Sequence, residues 1–305
     1  MIASFFDAVG EALSERASER LTGPAFLFWA GGLALAVVRW GWEPLWKWLS
    51  ALDLPLQAGL LVAALLLLVG SDALLDRFSF PLLRWMEGYW PGPPLGWLRT
   101  LLTRRQAKRQ KRIVDEWQPL RHKKKQGRLS LSERHRLARL DRQAIAMPLP
   151  DDLMPTAFGN VLRAAERRVA NKYGLDPVVC WPRLWLLLPD DSRKVLGSTG
   201  RHLERAAQGV GWGVLFLAWG WISPWAIPVA LVWVAVAWRL SLQAAGDFAV
   251  LVEATFDVHR WLLYDATGWP RPADSEQEKK AGKLLSEFLY RGTMQHQRVA
   301  YRHGR

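Results

Sequence analysis

Residues 54–70 read LPLQAGLLVAALLLLVG, and Asp53 and Asp72 close the run on either side. A helix over these uncharged residues covers roughly 26 Å, near the ~30 Å thickness of a bilayer's hydrocarbon core. The segment reads as a membrane span, and a spanning segment that is not part of a closed barrel must be helical. Upstream, residues 24–38 (PAFLFWAGGLALAVV) are also uncharged, and they reach Trp42 if Arg39 snorkels. Trp40, Trp42, Trp46 and Trp48 lie between the two runs with Glu43 and Lys47, which reads as a short turn in an aromatic belt. Residues 24–75 are thus expected to form a transmembrane hairpin.

The leader, residues 1–23, carries Asp7, Glu11, Glu15 and Glu19, opposite in charge to the basic start of a secretory signal. Phe5, Val9, Ala12 and Leu13 recur at helical spacing, so an uncleaved amphipathic helix is expected there. Residues 206–238 are almost free of charge up to Arg239 but are too long for one ordinary span. Ser223-Pro224 and Pro228 punctuate the middle of the run, among Trp219, Trp221 and Trp225. Two spans, at about 206–222 and 225–241, fit this pattern; one kinked span is the alternative.

The 305 residues are 50% hydrophobic, with 19 Trp against 5 Tyr, a formal charge of +13 and a mean hydropathy of −0.04. These values exclude a disordered chain and an acidic solvating protein. The single Cys180, set among apolar neighbours, excludes an internal disulfide or a multi-Cys zinc site and reads as an inert buried thiol. Residues 76–205 hold 27 Lys and Arg against 13 Asp and Glu, almost the whole excess of positive charge. Arg77, Arg84, Arg99, Arg201 and Arg205 flank the spans on this side, which marks it as cytoplasmic. The expected fold is all-α, with four transmembrane helices as two hairpins around a basic cytoplasmic region (76–205). A tail (242–305) and both termini lie inside.

Within that region, residues 78–97 mix bulky apolar groups, charges and prolines, and read as interfacial. A helix is expected from Leu98 to about Gln118, carrying Arg104, Arg105, Lys108, Arg109, Lys111 and Arg112. A turn with Lys123, Lys124 and Lys125 follows, and Ser130 with Glu133 forms the signature of a capping box. Leu137, Leu140, Ala144 and Met147 share the next helix's apolar face, so the whole reads as a basic helical hairpin. Its nine cations suit anionic phospholipid or a cytoplasmic protein partner. Nucleic acid is disfavoured, because no recognition signature accompanies them and Trp117 is alone among the aromatics of residues 98–147.

The most distinctive pattern is Pro155-Thr156-x-x-Gly159-Asn160-x-Leu162-Arg163-Ala164-Ala165-Glu166, then Tyr173-Gly174-Leu175-Asp176, then Trp181-Pro182-Arg183-Leu184-Trp185-x-Leu187-Leu188-Pro189. Thr156 and Asp176 read as helix caps and Gly174 as a helix stop. Phe158, Val161, Leu162, Ala165 and Val169 form an apolar stripe, and residues 178–188 are apolar but too short to span. Together with Asp247-Phe248, Phe256 to Trp261 and Tyr290-Arg291-Gly292, the pattern resembles a family of uncharacterised bacterial multi-spanning inner-membrane proteins. The resemblance covers about residues 155–190 and 246–292, implies a bacterial inner-membrane setting, and brings no activity or site residue with it.

After the last span, Gln243 to Thr267 reads as a helix with Glu253, Asp257, Arg260 and Tyr264 on one face. Phe248, Leu251, Thr255, Val258 and Leu262 form the other. Glu253 and Asp257 with His259 are the best acid-base or metal candidates, but His259 points away from Asp257, and an Asp257–Arg260 surface pair accounts for the pattern. No phosphate loop, zincin helix, nucleophile elbow or paired-cysteine motif occurs. No catalytic, cofactor or metal residue is assigned. Gly209 and Gly213, Gly31-Gly32, and Gly59 with Ala63 offer small faces for bundle packing or a homo-oligomer. The expected function is a non-enzymatic membrane-anchored scaffold or sensor whose cytoplasmic helices bind a protein or signal ligand, with anionic-lipid contact; an oligomeric channel or membrane-permeabilising effector is the alternative.

Overall fold

The computed structural model describes residues 23–90, 92 and 95–292; the acidic leader lies outside them. Every regular element among the described residues is helical. The chain divides into two units, one of residues 1–83 and 204–241 and one of residues 84–203 and 242–305.

The first unit starts with α1 (Pro24–Trp40), which has proline in its first turn and ends at Gly41, φ +83°. The chain then bends by 107° into α2 (Trp42–Ser50), so the expected belt turn is itself a short helix. Glu43 and Lys47 pair along it, and Trp42 stacks on Trp46. Helix α3 (Leu54–Arg77) follows, and Gln57 in its first turn donates to the carbonyls of Leu49 and Leu52 at 3.1 and 3.0 Å. That polar group therefore satisfies a helix end. Trp29 Nε1–H donates to Ser71 Oγ at 3.1 Å and joins α1 to α3.

After α4 (Ser79–Glu87), the chain returns to this unit through the last turns of α9 (Asp190–Leu215). A 3-10 stretch (Phe216–Trp221), a turn at 222–225 and the start of α10 (Ala226–His259) complete it. The break expected at Ser223-Pro224 is present. Phe216, Ala226 and Ala230 are buried against Phe28, Leu35, Trp219 and Trp233. Gly31 and Gly32 make room for the rings: a Cβ would stand 2.7 Å from Phe216 and 2.2 Å from Trp219. Trp219 is therefore a packed residue of this unit rather than part of a belt, whereas Trp221 and Trp225 are exposed. Gly209 and Gly213 face Ala237 and Val234 of α10, so these small residues serve packing within the chain. Gln208 is buried and donates to Asp76 and Ser79.

Two helices, α3 and α10, are long and apolar enough to cross a membrane, or three segments if α1 and α2 together make one. This is fewer than the four expected. The run at 206–222 is not a single apolar α-helix: its helix begins at Asp190 with charged turns, ends at Leu215, and gives way to the 3-10 stretch.

The second unit contains the hairpin of α5 (Gly96–Lys125) and α6 (Leu131–Ile145), then α7 (Ala157–Tyr173) and α8 (Pro177–Leu187). The first turns of α9, the last turns of α10, α11 (Trp261–Ala266) and α12 (Ser275–Arg291) complete it. Its core gathers Val169, Tyr173, Leu175, Cys180, Leu184, Leu196, Phe256, Leu263, Tyr264 and Leu285. Helix α8, the short apolar segment, is thus one-sided: Cys180 and Leu184 are fully buried while Val178 and Leu186 are exposed. The expected helix over 243–267 is divided at Arg260, and its buried residues are Ala245, Ala249, Thr255, Phe256, Leu263 and Tyr264. Val258, expected on the apolar face, is 67% exposed, because the neighbouring helices pack on the side of Phe256.

Candidate functional site

Helix α5 runs to Lys125, so Lys123, Lys124 and Lys125 form its last turn instead of the expected loop. Cations there face the carbonyl end of the helix, where its dipole favours them. Ser130 and Glu133 start α6 with a complete capping box, as the sequence predicts. Ile113 and Leu120 of α5 pack on Leu137 and Leu140 of α6, with Ala144 and Met147 beside them. Lys123 pairs with Glu133 and Glu116 with Arg136, each at 2.7 Å, and Gln110 donates to the Pro148 carbonyl at 2.6 Å. The Lys123 ammonium and the Ser130 N–H hold the Glu133 carboxyl down at about 2.

All nine predicted cations are exposed. Apart from Lys123, none of them (Arg104, Arg105, Lys108, Arg109, Lys111, Arg112, Lys124 and Lys125) forms an ion pair among the described residues. Arg104, Lys108, Lys111 and Arg112 lie on the half of α5 turned away from Ile113, Trp117 and Leu120, Arg105 lies at its border, and Arg109 stands one turn before Ile113 on the packed side. Burial against α6 therefore leaves a broad band of unneutralised charge over the rest of the helix surface. The sequence reading missed Trp117 and Arg121. The Trp117 indole donates to Asp141 at 2.5 Å, and the Arg121 guanidinium lies 4.5 Å above its ring. Their i,i+4 spacing on one helix was the available signal.

The acid-base candidates are not brought together. Glu253 binds Arg168 at 2.7 Å, and Asp257 takes Lys172 at 2.7 Å and the Tyr173 hydroxyl at 2.5 Å. His259 stands 3.4 Å from Ser192. The expected Asp257–Arg260 pair is replaced: Arg260 binds the buried Glu278 of α12 at 2.5 Å, and its contact with Asp257 is to the main-chain carbonyl. Among the described residues, no group of three or more His, Cys, Asp or Glu is placed to hold a metal ion.

The distinctive pattern around residues 155–189 acts structurally. Thr156 Oγ1 caps α7 by accepting from the Gly159 N–H and itself donates to the Glu87 carbonyl. Gly159 lets that carbonyl approach, since a Cβ would come within 2.1 Å of it. Buried Asn160 clamps the Met154 peptide groups at 2.8 and 3.1 Å. Gly174 ends α7 at φ +74°, Asp176 caps α8, and Arg183 donates to the Leu289 carbonyl. Burial pushes the Glu87 carboxyl up to about 7 and the Cys180 thiol up to about 11, the latter as expected of an inert thiol.

Compared with known protein families, curated proteins and solved structures, the chain matches none at a significant level.

Proposed function

We propose that the chain is a non-enzymatic, membrane-anchored scaffold or sensor of a bacterial inner membrane. Its basic hairpin contacts anionic phospholipid and its cytoplasmic helices bind a protein partner. The observation that carries the reading is the run of six exposed cations on α5, none of which forms an ion pair among the described residues. Near an anionic surface each such cation contributes about 1 kcal/mol.

The course of the chain supports two transmembrane hairpins. Leu184 and Leu196 share a core with Phe256, Leu263 and Leu285, so residues before 204 and after 241 fold together. With that core on one side of a bilayer, we read the segment between as leaving and returning. The α-helical residues 206–215 and the 3-10 residues 216–221 together reach about 27 Å, enough for an outward crossing, with α10 returning. Helix α1 is of similar length, about 26 Å, and pairs with α3. Four crossings leave both termini on the side of the basic excess.

The test is to purify the full chain in mild detergent and measure its retained phosphatidylglycerol and the proteins bound to it. Replacing Arg104, Arg105, Lys108, Arg109, Lys111 and Arg112 by Gln is expected to reduce the lipid and its salt sensitivity. Unchanged lipid content with no protein enriched would overturn the reading. A second reading, an oligomeric channel, draws on α3, whose apolar stretch is unburied except at Leu68 and whose Gly59 has nothing within 4 Å. Ion flux from reconstituted liposomes separates the two, because a scaffold gives none.

A further inference from the structure

Two of the cavities among the described residues open on the second unit. The first, of 270 Å³, is walled by apolar residues such as Ile113, Met147 and Leu149, with Arg167 and Arg168 at its edge. Both arginines are already engaged, with Asp152 at 2.5 Å and Glu253 at 2.7 Å, so it offers a ligand no uncommitted charge. The second, of 510 Å³, differs. It is lined by Trp117, Arg121, Lys124, Lys125, Leu137 and Asp141. The neighbouring Lys123 and Arg136 are held by Glu133 and Glu116, but Arg121, Lys124 and Lys125 form no ion pair among the described residues.

The cavity's geometry is fixed by more than a chance of surface charge. Asp141 pins the Trp117 indole through its N–H, and the indole in turn carries the Arg121 guanidinium stacked on its face. A stacked guanidinium keeps its in-plane N–H groups free, in the fork that matches two oxygens of one anion. Three cations face one carboxylate, and that carboxylate is engaged by the indole. Trp117 and Leu137 supply an apolar wall beside the charges.

We propose that this cavity seats a phosphate group, with Arg121 as the two-pronged donor and Lys124 and Lys125 as flanking charges. The Trp117–Leu137 wall receives the apolar part of the molecule that bears the phosphate. The assignment rests on the reading of the hairpin as an anion-facing surface, and it sharpens that reading from a diffuse face to a discrete site. A phospholipid headgroup and a free phosphate share this chemistry.

The experiment is calorimetric titration of the full chain in a non-ionic detergent with two probes, short-chain phosphatidylglycerol and inorganic phosphate. The R121Q/K124Q pair is expected to weaken binding about thirtyfold, from the usual contribution of each of the two cations near a charged surface. R121K, which keeps the charge and loses the fork, weakens it several-fold. D141N preserves an acceptor for the indole while removing the opposing charge, and tightens binding. Saturable binding of the lipid alone assigns the headgroup; equal binding of both probes assigns free phosphate; either outcome upholds the seat. Absence of saturable binding by the wild type, or equal affinity in R121Q/K124Q, overturns it. The variant neutralised at residues 104–112 distinguishes the two ideas: it loses bulk lipid if the surface reading holds and retains the titrated site if the seat is separate.

Discussion

Replacing Gly282 by alanine tests how the second unit is closed. Gly282 lies on α12 directly against the end of α7, where an added Cβ would stand 2.1 Å from the Tyr173 carbonyl oxygen and 3.0 Å from the Leu175 nitrogen. Both neighbours are backbone, so neither yields by rotating a side chain, and α12 must retreat by about 1 Å or more to restore ordinary contact. The retreat would stretch the Asp176 N–H bond to Ser286 Oγ, now 2.8 Å, and the Arg183 bond to the Leu289 carbonyl, now 3.0 Å. Overpacking of this kind costs about 1–3 kcal/mol, and a lost hydrogen bond about 1 more. In a unit of this size that lowers the midpoint of thermal unfolding by roughly 5–15 °C.

Cys180 reports the event. The thiol is fully buried in the same core and held protonated by that burial, so it reacts with a thiol reagent at pH 8 only when the core opens. Labelling along a temperature ramp is expected to begin several degrees earlier in G282A than in the wild type. Gly246, a helical position in the same unit with nothing within 4 Å, is the control. G246A should label no earlier, since alanine is the better helix former. Identical labelling of G282A and wild type would refute the close crossing of α7 and α12.

Two further outcomes follow from particular contacts. Glu87 binds its proton more tightly in the folded chain, at about 7, than its ordinary value of 4.5. The neutral form's advantage is therefore fully present below pH 4.5 and is lost as pH rises through 7. E87Q should match the wild type in denaturant melts at pH 4.5 and exceed it by about 1–2 kcal/mol at pH 8, the cost being softened at the group's exposed edge. In the first unit, G32A drives a Cβ to 2.2 Å from the Trp219 indole. The ring must leave its place beside Phe28 and Trp29, costing about 1–3 kcal/mol and changing the near-ultraviolet circular dichroism.

What the sequence revealed was local. The caps at Ser130, Thr156 and Asp176, the stop at Gly174 and the break before Ala226 depend on a few neighbouring residues, and all are present. The basic hairpin was legible for the same reason, through its capping box and the apolar spacing of Leu137 and Leu140. What stayed hidden was set by partners far along the chain. A helical wheel cannot distinguish Val258 from Phe256 as the buried residue until α8 and α12 are in place. Nor can it show that Asp257 pairs with Lys172 and Arg260 with Glu278, rather than with each other. The same holds in the first unit, where Trp219 reads as a belt residue until Gly32 is found beneath it.

The distribution of used and unused groups decides where function is to be sought. In the most distinctive pattern, Thr156, Gly159, Asn160, Gly174, Asp176 and Arg183 each hold a cap, a close crossing or a peptide clamp. Groups so committed maintain a shape and are not free to take a ligand. The carboxylates at 253 and 257 are bound by cations from α7 and are committed in the same way. The cations of α5 are the opposite case. Apart from Lys123 they are solvated and form no ion pair among the described residues, and the adjoining cavity adds an indole and a guanidinium already set in place. Like charges so close together repel, and α5 gains nothing in packing from side chains exposed on its outer face. Such an arrangement costs stability and is relieved when an anion arrives, which is why the basic hairpin, rather than the more distinctive pattern, is where binding is expected.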